Sequence, residues 1–117
     1  ETIITNDVVE VISETEFIWK GRLDNVINSG GIKLHPEEIE HKLFSTIASR
    51  FFVAGLVDQI LGERLILVIE AEAYQLDDEV FSELLKFEIP KEVYFLPKFI
   101  ETETGKIQRL QTLTLVS

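Results

Sequence analysis

Strand-like and helix-like stretches alternate along this chain of 117 residues, and that alternation confines it to an α/β or α+β sandwich. Residues 51–57 and 65–71 are apolar runs of strand character, with Leu61-Gly62-Glu63-Arg64 reading as the turn between them. A third strand is expected at 93–96. Ahead of these runs, Pro36 reads as the opening of a helix, because its missing N–H would be unpaired in a first turn anyway. Glu37, Glu38 and Glu40 suit the positive end of that helix's dipole. Ile39, Leu43 and Ile47 recur every four residues as its buried face, and Glu38 and Lys42 are spaced i,i+4 on its wet face. Asp77-Asp78-Glu79 reads as the start of a second helix, with Val80, Phe81, Leu84 and Leu85 inward and Lys86 near its end. A last short helix is expected from Ile107. At the N-terminus, residues 3–12 and the run Phe17-Ile18-Trp19 lie either side of the polar turn Ser13-Glu14-Thr15-Glu16 and read as a hairpin. The expected fold is therefore α+β: a small mixed β-sheet flanked by helices, preceded by a β-hairpin.

The length admits one domain, or one domain and the stub of a neighbour. A hydrophobic fraction of 45% fills one modest core, and a domain this small hides a limited share of its surface. The formal charge is −10, from 21 acidic and 11 basic residues. No basic patch stands out, which argues against a nucleic-acid partner and against an anionic membrane surface. It leaves ATP open, since a few well-placed cations suffice. Without cysteine there is neither a disulfide nor a thiolate metal site. With His35 and His41 as the two histidines, no structural metal site is expected. No run of 18 apolar residues and no signal-peptide pattern is visible, so a soluble, cytoplasmic protein is expected. The chain starts at Glu1 and contains no methionine, which suits an excised fragment better than a complete gene product.

Three segments carry chemical information. The stretch Gly21-Arg22-Leu23-Asp24-Asn25-Val26-Ile27-Asn28-Ser29-Gly30-Gly31-Ile32-Lys33-Leu34-His35-Pro36-Glu37-Glu38-Ile39-Glu40 is, by itself, a glycine-containing loop with a short strand at Val26-Ile27, entering a helix. Glycine lets backbone N–H groups approach a ligand, and helix N-termini favour anions; an ordinary loop has the same look. Thr102-Glu103-Thr104-Gly105-Lys106-Ile107-Gln108-Arg109 presents an ammonium after a turn, in the manner of a phosphate-binding lysine. It is not a P-loop, because the upstream glycine and the Ser/Thr after the lysine are absent. Alone, Lys106 reads as a solvated surface lysine sooner than as a phosphate ligand, and Thr5-Asn6-Asp7 says nothing.

In this order and spacing the three segments resemble the adenylate-forming superfamily of acyl-CoA synthetases, luciferases and peptide-synthetase adenylation domains. That family shows Thr-Gly-Asp, thirteen residues, Gly-Arg-x-Asp, a Gly-rich loop, a Pro-x-Glu-Ile-Glu helix start, and finally Thr-x-Thr/Ser-Gly-Lys-Ile-x-Arg. Here thirteen residues separate Asp7 from Gly21, Pro36 through Glu40 supply the helix start, and Thr102 through Arg109 the terminal loop. The likeness spans nearly the whole chain. Asn6 departs from the usual glycine, in a step where asparagine tolerates left-handed backbone. Ile100 stands where a proline is usual, and Lys33 where many relatives have arginine, which turns a bidentate phosphate contact into a point charge. Within the family, the run from Asp24 to Lys33 looks most like o-succinylbenzoate–CoA ligases of menaquinone synthesis.

The resemblance implies a carboxylic acid activated by ATP as an acyl-adenylate and then passed to the thiol of coenzyme A. It implies that residues 1–23 are the trailing edge of a large N-terminal domain, absent here, which is the partner and holds the acid, the adenine, most phosphate contacts and the Mg2+. Residues 24–117 would be the small mobile domain, inactive alone. Lys106 would be the catalytic lysine of adenylation. Asp7, Arg22 and Lys33 would contact the nucleotide, Lys33 alternatively the phosphates of CoA, and Asp24 would be the hinge. Ser29, Gly30 and Gly31 would line the path of the pantetheine arm. Two other readings remain: the adenylation domain of a peptide synthetase, and a free-standing binding module with this fold.

Overall fold

The computed structural model describes the backbone of residues 2–4, 7–11, 17–22 and 25–116, and the side chains of 7–10 and 25–116. Asn6, the polar turn 13–16 and Asp24 lie outside the described residues, as does the side chain of Arg22. The N-terminal hairpin is present as β2 (Asp7–Val11) and β3 (Phe17–Arg22), and β1 (Thr2–Ile4) extends it to an antiparallel meander. β3 runs through Gly21 and Arg22, which the sequence placed in a loop. Val8 and Val9 are each 2% exposed. Between them the pairing with β3 shifts register, from Val8↔Gly21 to Val9↔Trp19.

The second sheet contains β4 (Ile27–Ser29), β5 (Ile32–Leu34), β6 (Phe51–Asp58), β7 (Gly62–Glu70) and β8 (Glu92–Leu96). β7 is its spine. β6 pairs antiparallel along it from Asp58↔Gly62 to Phe51↔Ile69. The other edge of β7 is shared: β4 meets it at Ser29↔Gly62, and β8 runs parallel to it from Ile66↔Glu92 to Glu70↔Leu96. The turn after β6 spans residues 59–61, two to three residues earlier than the sequence suggests, and β7 starts at Gly62 instead of Leu65. The Asp58 carboxylate accepts the N–H groups of Ile60 (2.9 Å) and Leu61 (2.8 Å), and these hydrogen bonds, Leu61 first, hold its carboxyl below the ordinary range.

Two-residue periodicity divides the core. Leu65, Leu67 and Ile69 of β7, with Phe51 and Val53 of β6, face the helix α1 (Pro36–Leu43) through Ile39 and Leu43. Ile66 and Val68, with Phe52, face Phe99 and the C-terminal segment that carries α2 (Arg109–Leu113). Residues 65–69 are each 0–2% exposed, which explains an unbroken apolar run: a strand covered on both faces has no polar side. Burial on that scale contributes roughly 1.5–3 kcal/mol per large side chain. The expected buried face of α1 is observed, with Ile39, Leu43 and Ile47 at 0%, 0% and 4% exposure.

The second expected helix is not an α-helix. Residues 77–90 fold as two short 3-10 turns, Asp78–Phe81 and Lys86–Glu88, separated by extended backbone at Leu85 (φ −70°, ψ 158°). The reason lies in a tertiary ion pair. Glu88 is buried, accepts a hydrogen bond from Lys42 Nζ at 2.7 Å and takes the Leu85 N–H at 2.9 Å. Drawing Glu88 inward leaves Leu85 half exposed instead of in the core. Lys42 thus pairs across the fold rather than being merely a wet-face partner of Glu38.

Candidate functional site

The loop 102–106 is closed on itself. Thr102 N–H donates to the Lys106 carbonyl (2.8 Å), Lys106 N–H to Thr102 Oγ1 (3.1 Å), and Gly105 N–H to the Thr102 carbonyl (3.0 Å). Glu101 and Ile107 form an antiparallel bridge at its base. Gly105 has φ +87°, a conformation that costs an L-residue roughly 1–2 kcal/mol. The motif residues are therefore the ones the turn needs: a hydroxyl acceptor at 102 and a glycine at 105. Lys106 is exposed, so its ammonium is available to whatever faces the loop.

Two arginines flank this loop, and one of them, Arg50, bonds to it directly. Arg50 lies just before β6 and makes a two-pronged pair with Glu70, Nε to Oε1 at 3.1 Å and Nη2 to Oε2 at 2.6 Å. Its Nη1 reaches the Glu101 carboxylate at 2.6 Å and the Gly105 carbonyl at 3.4 Å. Glu70 also accepts the Phe99 N–H at 2.7 Å. Hydrogen bonds donated to Glu70 and Glu101 hold the Arg50 guanidinium well above its ordinary pKa. On the other side, Arg109 pairs bidentately with Glu40, at 2.6 and 2.7 Å, and Glu40 also takes the Val53 N–H. Burial works against the Arg109 charge, but the hydrogen bonds and charge of Glu40 outweigh it and leave its pKa raised. The guanidiniums stand over the Phe99 and Phe52 rings, which pack edge to face at 5.2 Å. Ile100, found where proline was expected, donates its N–H to Thr112 Oγ1 at 3.2 Å, a bond proline cannot make.

The sequence pointed to Lys106 and Arg109 but not to Arg50. The signal was available in the hairpin register: positions 50 and 70 face each other once the turn is centred near 60.

The second glycine site is a tight turn instead of an open loop. β4 and β5 form a hairpin whose two-residue turn is Gly30-Gly31, with φ of +58° and +83°. Two successive positive φ values match the two-residue turn that suits strand twist. The hairpin is fixed to the start of β7 by Gly30 N–H to the Leu61 carbonyl (2.9 Å) and Asn28 N–H to the Glu63 carboxylate (3.0 Å). A Cβ at Gly31 would meet nothing within 4 Å, so this backbone is open to an approaching group. Ser29 ends β4, and Lys33, exposed on β5, lies opposite Asn28. Asp7 and Arg22 are directly paired positions of β2 and β3.

The structure thus gathers Ser29, Gly30, Gly31 and Lys33 in one hairpin and Asp7 with Arg22 in another, but sets Lys106 apart. Ser29 pairs with Gly62 at the start of β7, while Glu70, which holds Arg50 and through it Gly105, ends the strand. At ~3.3 Å per residue the ends of β7 lie ~26 Å apart. A cleft between β4, α1, β6 and α2 is lined by Ile27, Pro36, Val53, Arg109 and Leu113, and by neither Lys106 nor Gly31. Among the described residues no three Asp, Glu or His side chains gather to hold a metal ion. Among the same residues no helix is long and apolar enough to cross a membrane.

Similar sequences and folds occur in known proteins. An acyl-CoA synthetase of Alternaria alternata is 30% identical, over 92% of this chain and 21% of its own length. An AMP-forming acyl-CoA synthetase/AMP-acid ligase II-like protein from Dyadobacter fermentans is 36% identical and superposes with a TM-score of 0.76, over 100% of this chain and 36% of that one. Homologues and structural neighbours of this chain are members of the AMP-forming acyl-CoA ligase family. The mixed sheet with its helices is the fold of the C-terminal domain of such AMP-binding enzymes. Escherichia coli MenE, in a structure with bound OSB-AMS, is a ligase 28% identical with a TM-score of 0.71, over 97% of this chain and 25% of that one. The chain spans about a fifth of the length of the curated ligases it matches. No family model matches it.

Proposed function

We propose that this chain is the C-terminal domain of an ATP-dependent acid–CoA ligase, with residues 24–117 as the mobile unit and residues 1–23 as the trailing edge of a large N-terminal domain. In the first half-reaction a carboxylate oxygen attacks the α-phosphorus of ATP and pyrophosphate leaves. In the second, the sulfur of CoA, having lost its proton, attacks the acyl carbon and AMP leaves. Lys106 serves the first: its ammonium lies against the carboxylate and the α-phosphate, where negative charge gathers. A preorganised donor of that kind contributes ~3–4 kcal/mol, or ~10²–10³ in rate. The Gly30-Gly31 turn and Ser29 serve the second, with open backbone along which the pantetheine arm passes, and Lys33 meets phosphate charge of the nucleotide or of CoA. Asp7 accepts hydrogen bonds from the ribose hydroxyls, Arg22 adds a nucleotide contact, and Asp24 is the hinge.

The observation that supports this reading is that the Gly30-Gly31 turn is tied to the start of β7 and the Lys106 loop, through Arg50 and Glu70, to its end, a strand that spans ~26 Å at ~3.3 Å per residue. One reaction centre cannot meet both loops in a single orientation. A domain that turns about a hinge presents them in succession, which is a recognised way to assemble two sites from one unit.

The motif run from Asp24 to Lys33 and the likeness to MenE favour o-succinylbenzoate as the acid, in menaquinone synthesis and in the cytoplasm. The test uses the full-length protein with ATP, CoA and o-succinylbenzoate as the first acid tried. In Lys106→Ala, acyl-adenylate formation should fall ~10²-fold or more, while thioester formation from preformed adenylate persists. Equal loss of both half-reactions removes the role given to Lys106. Turnover of other acids but not this one removes the menaquinone reading alone.

A further inference from the structure

We propose that Arg50 is a positioning residue for the lysine loop: by joining Glu70 to Glu101 and to the Gly105 carbonyl, it fixes where the Lys106 ammonium is held. This rests on the adenylation role given to Lys106 above.

Lys106 lies on an exposed loop whose internal hydrogen bonds set its shape but not its place on the molecule. Its place needs a tie to something rigid. Glu70 ends the central strand, and its carboxylate is doubly engaged, by the Arg50 guanidinium and by the Phe99 N–H. Arg50 spends two of its nitrogens on Glu70 and turns the third outward, to the carboxylate of Glu101 and the carbonyl of Gly105. Glu101 opens the bridge that closes the loop, and Gly105 precedes the lysine itself. One planar cation thus spans from the sheet to the residue adjoining Lys106. Its stacking on Phe99, at 5.7 Å from the ring centroid, limits its rotation. Lysine at position 50 lacks the fork that makes three directed contacts at once. The Gly30-Gly31 turn at the far end of β7 takes no part in this network, so loss of the tie should be felt in one half-reaction only.

The experiment measures both half-reactions separately in the full-length protein carrying Arg50→Ala, Arg50→Lys, Glu101→Gln and Lys106→Ala, together with the double variant of Arg50→Ala and Lys106→Ala. Misplacing a reacting group by about an ångström costs up to ~10²-fold, so adenylation should fall about 10- to 100-fold in Arg50→Ala and less in Glu101→Gln. Arg50→Lys should recover only part of the loss. Thioester formation from preformed adenylate should stay within about twofold of wild type. Since Arg50 acts through Lys106, the double variant should be no slower in adenylation than Lys106→Ala alone; groups that act as a unit are non-additive. A fall in both half-reactions together in Arg50→Ala and in Glu101→Gln, or an additive loss in the double variant, overturns the proposal in favour of a general structural role. Unchanged adenylation in Arg50→Ala, with Lys106→Ala still severely impaired, overturns it while leaving the function of Lys106 intact. Unchanged adenylation in Lys106→Ala removes the underlying reading instead.

Discussion

Glu70 shows how far a single carboxylate can be committed. Hydrogen bonds from Arg50 hold its carboxyl below the ordinary glutamate range; partial burial opposes this and the Phe99 N–H adds to it. A carboxyl whose pKa is lower in the folded chain adds stability that is complete above the unfolded value, about 4.3. That stability drains away as the pH falls through the folded value. We therefore expect the thermal midpoint of the wild-type protein to drop more steeply below about pH 4.3 than that of Glu70→Gln, followed by circular dichroism. Parallel curves would mean that this pair has no part in the acid response. At the same scale, Lys106 and Arg109 were legible in the sequence because a Gly-Lys step and a basic residue three positions later form one short motif. Arg50 was not, because its role depends on partners 20, 51 and 55 residues away.

Among the elements, β6, β7 and α1 could be read directly. A run that is apolar at every position needs cover on both faces, and a four-residue recurrence after a proline needs one. Segment 77–90 shows the limit of such reading. Its apolar residues allow a helical reading, yet Glu88 is pulled to Lys42, 46 residues away, and the backbone follows the ion pair. This has a measurable consequence. Leu85→Ala, at 53% exposure, should destabilise by less than about 1 kcal/mol, whereas Leu67→Ala, fully buried, should cost about 2–5 kcal/mol. Urea denaturation of both variants decides it. Comparable losses would mean that the segment packs Leu85 inward as a helix after all. The Gly30-Gly31 turn was half legible: the glycines were noticed, but β5 is too short and too exposed to announce the hairpin that they close.

For the molecule as a whole, the two lysines proposed to meet phosphate, Lys33 and Lys106, are exposed and anchored to opposite ends of β7. They cannot converge on one triphosphate within this chain, and the formal charge of −10 repels a polyanion. Isothermal titration of these 117 residues with ATP should accordingly show weak or no binding. Tight, saturable binding would contradict the placement of most of the nucleotide site on a separate domain.

The spine strand also sets a ruler. Side chains alternate along β7, and its two faces feed different cores: Leu65, Leu67 and Ile69 on one side, Ile66 and Val68 on the other. An insertion of one residue would exchange these sets and turn Glu70 away from Arg50. An insertion of two would keep every face and shift one end by ~6.6 Å. The interval between the two loops is therefore quantised. On the proposed function, descendants of this fold lengthen or shorten the reach between the two loops only in paired residues, and a large domain that meets both loops has to match each step.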